Sequence, residues 1–106
     1  MIRFSNPKLL KMTNGEDCIE LTESGSWESF PEFAEKLSDQ IGAQIIYKGS
    51  SVEMHIWEIE YQGAILNLVY DDFPNGLSIE PKSGNTKSAI TNLFQLFSSQ
   101  SIDNGL

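Results

Sequence analysis

The sequence predicts an α+β domain, an antiparallel meander sheet of about four to five strands with two amphipathic helices packed on it. Three observations carry this. Two stretches repeat apolar residues at helical spacing, and between them lie β-rich runs broken by short glycine turns. A length of 106 residues, 40% of them hydrophobic, supports one compact core but not two. Residues 1–106 are therefore expected to form a single domain, with 98–106, rich in Ser, Gln, Asn and Gly, as a disordered tail.

Leu9, Leu10 and Met12 lead into Thr13-Asn14-Gly15-Glu16-Asp17, a turn signal, and then into Cys18-Ile19-Glu20-Leu21-Thr22, so a leading hairpin is expected. Ser29 followed by Glu32 has the form of a capping box, with Pro31 tolerated in the first turn and Trp27 placed to staple the start of the helix. Phe30, Phe33, Ala34, Leu37 and Ile41 then form one apolar stripe, and Gly42 supplies a left-handed stop.

Ala43 to Lys48 is a strand by its β-branched and aromatic content. In Val52–Tyr61 the apolar residues change phase: Val52, Met54 and Ile56 are even, whereas Trp57, Ile59 and Tyr61 are odd. Either a β-bulge near Ile56-Trp57 or burial on both faces is required, and the bulge is the favoured reading. Gln62-Gly63 turns the chain into the apolar run Ala64–Tyr70. Asp71 to Gly76 is expected as a loop, and Leu77–Glu80 as a short strand ended by Pro81. After Ser83-Gly84-Asn85, the residues Ala89, Ile90, Leu93, Phe94, Leu96 and Phe97 predict a second helix.

Charge is segregated along the chain. From Glu16 to Glu80 there are 14 carboxylates against Lys36 and Lys48, while the flanks carry five cations against Asp103, so the middle sums to −12 and the ends to +4. Such a surface repels nucleic acid and anionic lipid and attracts a basic protein. Glu28, Glu32, Glu35 and Asp39 recur along one side of the first helix, where Lys36 pairs with Glu32 without neutralising the row. Asp71 and Asp72 beside Phe73 offer two charges next to an aromatic anchor, and Glu58 and Glu60 add carboxylates on a neighbouring strand. These nine residues are the candidate partner-binding positions.

No catalytic, cofactor or metal site is expected. Acyl transfer needs a nucleophile, a base and an orienting group, and His55 is read as a sheet-surface side chain rather than a base. Cys18, the single cysteine, is read as a small apolar strand residue; with His55 it is too little for a zinc site. The glycines stand alone rather than in a phosphate cradle. Met1–Pro7 lacks the apolar stretch of a signal peptide, and no run approaches a membrane span, so a cytoplasmic location is expected.

Trp27-Glu28-Ser29-Phe30, the helix ending at Gly42, the run from Trp57-Glu58-Ile59-Glu60 to Gly63, and then Leu66, Leu68 and Tyr70-Asp71-Asp72-Phe73 resemble a known pattern. It is that of the small acidic immunity proteins of bacterial contact-dependent growth-inhibition systems and related uncharacterised domains, and the likeness spans Asp17 to Phe97. The resemblance implies a non-enzymatic partner that binds a toxic C-terminal domain, often a basic nuclease, and blocks its active site or substrate path. It brings no shared catalytic residues. Two other readings stay open: a small acidic secretion chaperone, and a carboxylate-based enzyme or metal-binding domain built on Asp71, Asp72 and neighbouring glutamates.

Overall fold

The computed structural model describes residues 2–22, 25–72 and 75–103, the side chains of Thr22 and of residues 100–103 excepted. The described residues form strands β1 (Lys8–Lys11), β2 (Asp17–Thr22), β3 (Gln44–Ser50), β4 (Met54–Tyr61), β5 (Ala64–Asp72) and β6 (Asn75–Ser83). The helices are α1 (Phe30–Ile41), between β2 and β3, and α2 (Thr86–Asp103), after β6. All strands pair antiparallel in one sheet of order β1-β2-β6-β5-β4-β3. The expected meander is β3 to β6. The expected strand count falls short because the leading hairpin docks on β6 and extends the same sheet to six.

Both helices lie on one face of the sheet. Phe30, Ala34 and Leu37 of α1 and Ala89, Ile90, Leu93 and Phe97 of α2 close over Ile19, Trp57, Ile59, Leu66, Leu68, Tyr70 and Ile79. α1 covers the β3–β4 side, and α2 covers β2, β6 and β5. Burying each large aliphatic or aromatic side chain contributes about 1.5–3 kcal/mol, so this two-layer core is the main source of stability. The α1 stripe falls where the spacing places it, with Phe33 and Ile41 at its margin. Gly42 ends the helix at φ 74°, where its N–H and that of Ala43 donate to the carbonyls of Asp39 and Ser38.

Five local expectations need correction. Ser29 makes no capping bond; its hydroxyl interacts with Ser26, whose Oγ lies 2.6 Å away, and Glu32 reaches Lys36 instead of the helix start. β4 has no bulge at Ile56-Trp57. Its register with β5 is unbroken, and His55, Trp57, Ile59 and Tyr61 face the helices in one phase while Met54, Ile56, Glu58 and Glu60 face away. The bulge lies across the pairing, in β3 between Ile45 and Tyr47.

The third and fourth concern β5 and β6, which are longer than expected. Asp71 pairs with Gly76 and Asp72 with Asn75, so the expected loop is the end of a hairpin whose Phe73 and Pro74 lie outside the described residues. β6 also continues past Pro81. The missing N–H is tolerated there because β2 pairs with β6 only as far as Ile79, and the β5 register shifts at Ile65/Leu66. At the other end α2 extends to Asp103, so Ser98–Asp103, expected within the tail, is helical; residues 104–106 lie outside the described residues.

Candidate functional site

The acidic positions divide between two faces. On α1, Glu28 stands exposed just before the helix, and Glu32, Glu35 and Asp39 are exposed along its solvent side. They are held there because Phe30, Ala34 and Leu37 anchor the opposite side in the core. Glu32 is joined to Lys36 at 3.1 Å, and among the described residues Glu35 and Asp39 make no ion pair. No basic residue occupies the last turn of α1, so two carboxylates stand near the end where the helix dipole is already negative.

Glu58 and Glu60 lie on the opposite face of the sheet, the one no helix covers. Glu58 is half-buried and engaged by Lys82 of β6, whereas Glu60 is exposed and pairs in register with Gln44. Asp71 and Asp72, adjacent in sequence, point to opposite sides because strand side chains alternate. Asp72 accepts the Tyr70 hydroxyl on the helix side, and Asn75 Nδ2 donates to the same Tyr70 oxygen at 3.1 Å. The hydrogen bond to Asp72, followed by burial, raises the Tyr70 phenol above its usual pKa. Asp72 is thus committed to holding the hairpin end. Phe73, the expected aromatic anchor, lies outside the described residues. The structure brings the α1 row together, sets Glu58 and Glu60 on the far face, and splits the Asp71-Asp72 pair.

His55 is not a surface side chain. It is 5% exposed, stacked on Trp27 at 3.8 Å and on Phe30 at 4.8 Å between ring centroids. Its Nε2 lies 3.0 Å from the Trp27 carbonyl, which can only accept, so Nε2 carries a proton; Nδ1 lies 2.6 Å from Ser50 Oγ. Both ring nitrogens serve to fasten the segment before α1 and the end of β3 to the sheet. Cys18 is half-buried on β2, and burial first, then Glu80, Glu20 and Asp17, raise its thiol above the usual value. That disfavours the reactive thiolate. Among the described residues no three His, Cys, Asp or Glu side chains gather as a metal site.

Charge analysis alone missed the apolar part of this end of the molecule. Ile46 and Tyr47 on edge strand β3 are 46% and 56% exposed, Val52 in the following turn is 93% exposed, and Ile56 stands on the uncovered face. The sequence signal was present: from Gly42 to Val52, within the acidic middle, there is no carboxylate. Lys48, the one cation there, lies over the Trp57 ring at 4.9 Å.

Fold and surface together define a two-layer α+β protein whose β3 end combines an acidic helix side with an exposed apolar strand edge. The chain belongs to the DUF3630 family, described as a protein of unknown function, whose family model matches residues 8–97. No curated protein and no solved structure matches it. Among the described residues no helix is long and apolar enough to cross a membrane.

Proposed function

We propose that this protein is a non-enzymatic binding protein that acts in the cytoplasm to neutralise a cognate toxin domain, a basic nuclease, through its acidic surface. The observation that carries the reading is the β3 end: Glu35 and Asp39 stand exposed, without ion pairs among the described residues, on the helix packed against β3, whose edge exposes Ile46 and, on the opposite face of the sheet with Glu58, Tyr47. Interfaces draw most of their energy from apolar and aromatic anchors, while surrounding charges set the encounter rate and partner choice. A nuclease surface built for phosphates complements the α1 row by charge, and the −12 middle of the chain supplies the steering field. The resemblance to immunity proteins points the same way.

A second reading, the secretion chaperone, is favoured by the exposed apolar residues of the β3–β4 hairpin, since chaperones of that kind offer apolar surface to an extended client. Kinetics separate the two. Association with the C-terminal domain encoded immediately upstream should slow steeply as salt rises, because exposed charges are screened beyond about 8 Å at physiological ionic strength. Charge reversal at Glu32, Glu35 and Asp39 together (E32K/E35K/D39K) should slow association about tenfold or more, with the melting temperature little changed. Association at the wild-type rate would make the α1 row a solvated helix side only.

A further inference from the structure

Acyl transfer to a side chain needs a nucleophile, a base within hydrogen-bond reach of it, and a third group that orients the base. The chain has one histidine, and an exposed place on the sheet would leave it no such partners. The structure instead assembles all three at the β3–β4 hairpin. Ser50, the last residue of β3, pairs in register with His55 of β4, so the two side chains stand together on the helix side of the sheet. Ser50 Oγ lies 2.6 Å from His55 Nδ1, and His55 Nε2 lies 3.0 Å from the Trp27 carbonyl.

The tautomer sets the direction of proton transfer. Because the Trp27 carbonyl can only accept, Nε2 holds the ring proton; in the neutral ring Nδ1 is then an acceptor, and the Ser50 hydroxyl donates to it. The ring is kept in this orientation by its stacking on both Trp27 and Phe30 and by its burial. The nucleophile, by contrast, is open to reagents, since Ser50 is exposed. Other serines lack this arrangement. Ser51 is also exposed but the histidine lies against its neighbour, and the hydroxyls of Ser26 and Ser29 interact with each other at 2.6 Å.

We propose that Ser50 is a nucleophile that accepts an acyl group from an activated ester, with His55 as its general base and the Trp27 carbonyl as the orienting group. Ser50 Oγ attacks the ester carbonyl carbon while its proton passes to His55 Nδ1. The Oγ–C bond forms, and the bond from that carbon to the leaving oxygen breaks with its electron pair. The imidazolium then returns the proton to the departing oxygen, so an acyl serine and an alcohol result and nothing is oxidised or reduced. While the ring is charged, its Nε2–H bond to the Trp27 carbonyl becomes charge-assisted and stronger. The step is a single acylation of the protein itself, which goes beyond the binding function proposed above and does not depend on it.

The test treats the whole protein with p-nitrophenyl acetate, stops the reaction in acid at short times, and reads the acetylation rate of each serine by peptide mass spectrometry. Ser50 should be acetylated about 100-fold or more faster than Ser51, Ser26 or Ser29, the size of effect a positioned general base gives. In urea the four rates should become equal. H55Q should bring Ser50 down to the rate of the other serines, and S50A should remove that one label and leave every other site unchanged. The wild-type comparison with and without urea decides the matter should H55Q fail to fold. No acetyl group on Ser50, equal rates at the four serines of the native protein, a preference that survives urea, or undiminished acetylation in a folded H55Q protein would overturn the proposal.

Discussion

The two edges of the sheet meet the same physical problem and treat it differently. Each edge strand presents a row of backbone N–H and C=O groups without a neighbour, a template for unwanted pairing. β1 is four residues long and carries Lys8 and Lys11, which reach Glu20 and Asp17 of β2 at 3.8 and 2.8 Å. Short length and lysines are the usual means of blunting an edge. β3 is seven residues long, its one cation lies over Trp57, and Ile46 and Tyr47 stand exposed; only the bulge between Ile45 and Tyr47 interrupts it. Both edges expose apolar side chains, Leu9 and Leu10 on β1 as well as Ile46 and Tyr47 on β3, so what sets β3 apart is its length, its lack of cross-strand lysine pairs, and the neighbouring helix whose Glu35 and Asp39 have no ion pair among the described residues; on that contrast the proposed interface is assigned to β3.

The largest expected effect concerns what holds the β3 end in place. Phe30 is fully buried between α1 and the sheet and touches the rings of His55 and Trp57. Phe30→Ala should cost about 3–5 kcal/mol in urea unfolding, whereas Leu9→Ala on β1, where the leucine is 40% exposed, should cost under about 1 kcal/mol. Equal costs would mean that the β3 end depends on α1 no more than β1 does.

Next comes the edge comparison itself. I46K/Y47K should weaken partner binding about 30-fold or more, since it removes the exposed apolar anchors, while L9K/L10K at the other edge leaves binding unchanged. If the β1 variant is the one that loses binding, the assignment of edges is reversed. His55→Phe keeps the aromatic stack but leaves the Trp27 carbonyl and the Ser50 hydroxyl without their partner, a loss of about 1–3 kcal/mol by urea denaturation. An unchanged midpoint would show that stacking alone fastens this end.

The smallest effect is alkaline and belongs to the β1–β2 side. The Cys18 thiol is raised above its usual value by burial and by Glu80, Glu20 and Asp17, so the folded state keeps its proton where the unfolded state has lost it. Stability from this source is full below about pH 9 and is lost as pH rises through the folded value. C18A should therefore flatten the decline in melting temperature between pH 9 and 10, and a decline identical to wild type would remove Cys18 as its cause.

Much of this architecture was legible because it is encoded locally. The Phe30–Ile41 stripe and the Gly42 stop specify α1 within a few residues, and Asn14-Gly15 specifies the first hairpin, where Asn14 Oδ1 accepts the Glu16 N–H. The sixth strand was not legible because β2 pairs with β6 across the whole intervening meander, a non-local event that periodicity does not encode. His55 misled for a different reason. Counting Val52, Met54 and Ile56 as inward forced a phase break, whereas His55, with Trp27 and Phe30 to stack on, is itself the first inward residue of β4.

The candidate site was half legible. Helical spacing correctly placed Glu32, Glu35 and Asp39 on one side of α1, but charge could not reveal that Asp71 and Asp72 diverge, or that Glu58 is engaged by Lys82.

The central claim is that the β3 end neutralises a basic toxin, and cell survival tests it most directly. The C-terminal domain encoded immediately upstream would be induced alone, with this protein, and with its E32K/E35K/D39K and I46K/Y47K variants. The account predicts killing by the domain alone, rescue by the wild-type chain, and failure of both variants to rescue although they fold and accumulate normally. A harmless domain, killing that the wild-type chain does not reverse, or full rescue by both variants would contradict it.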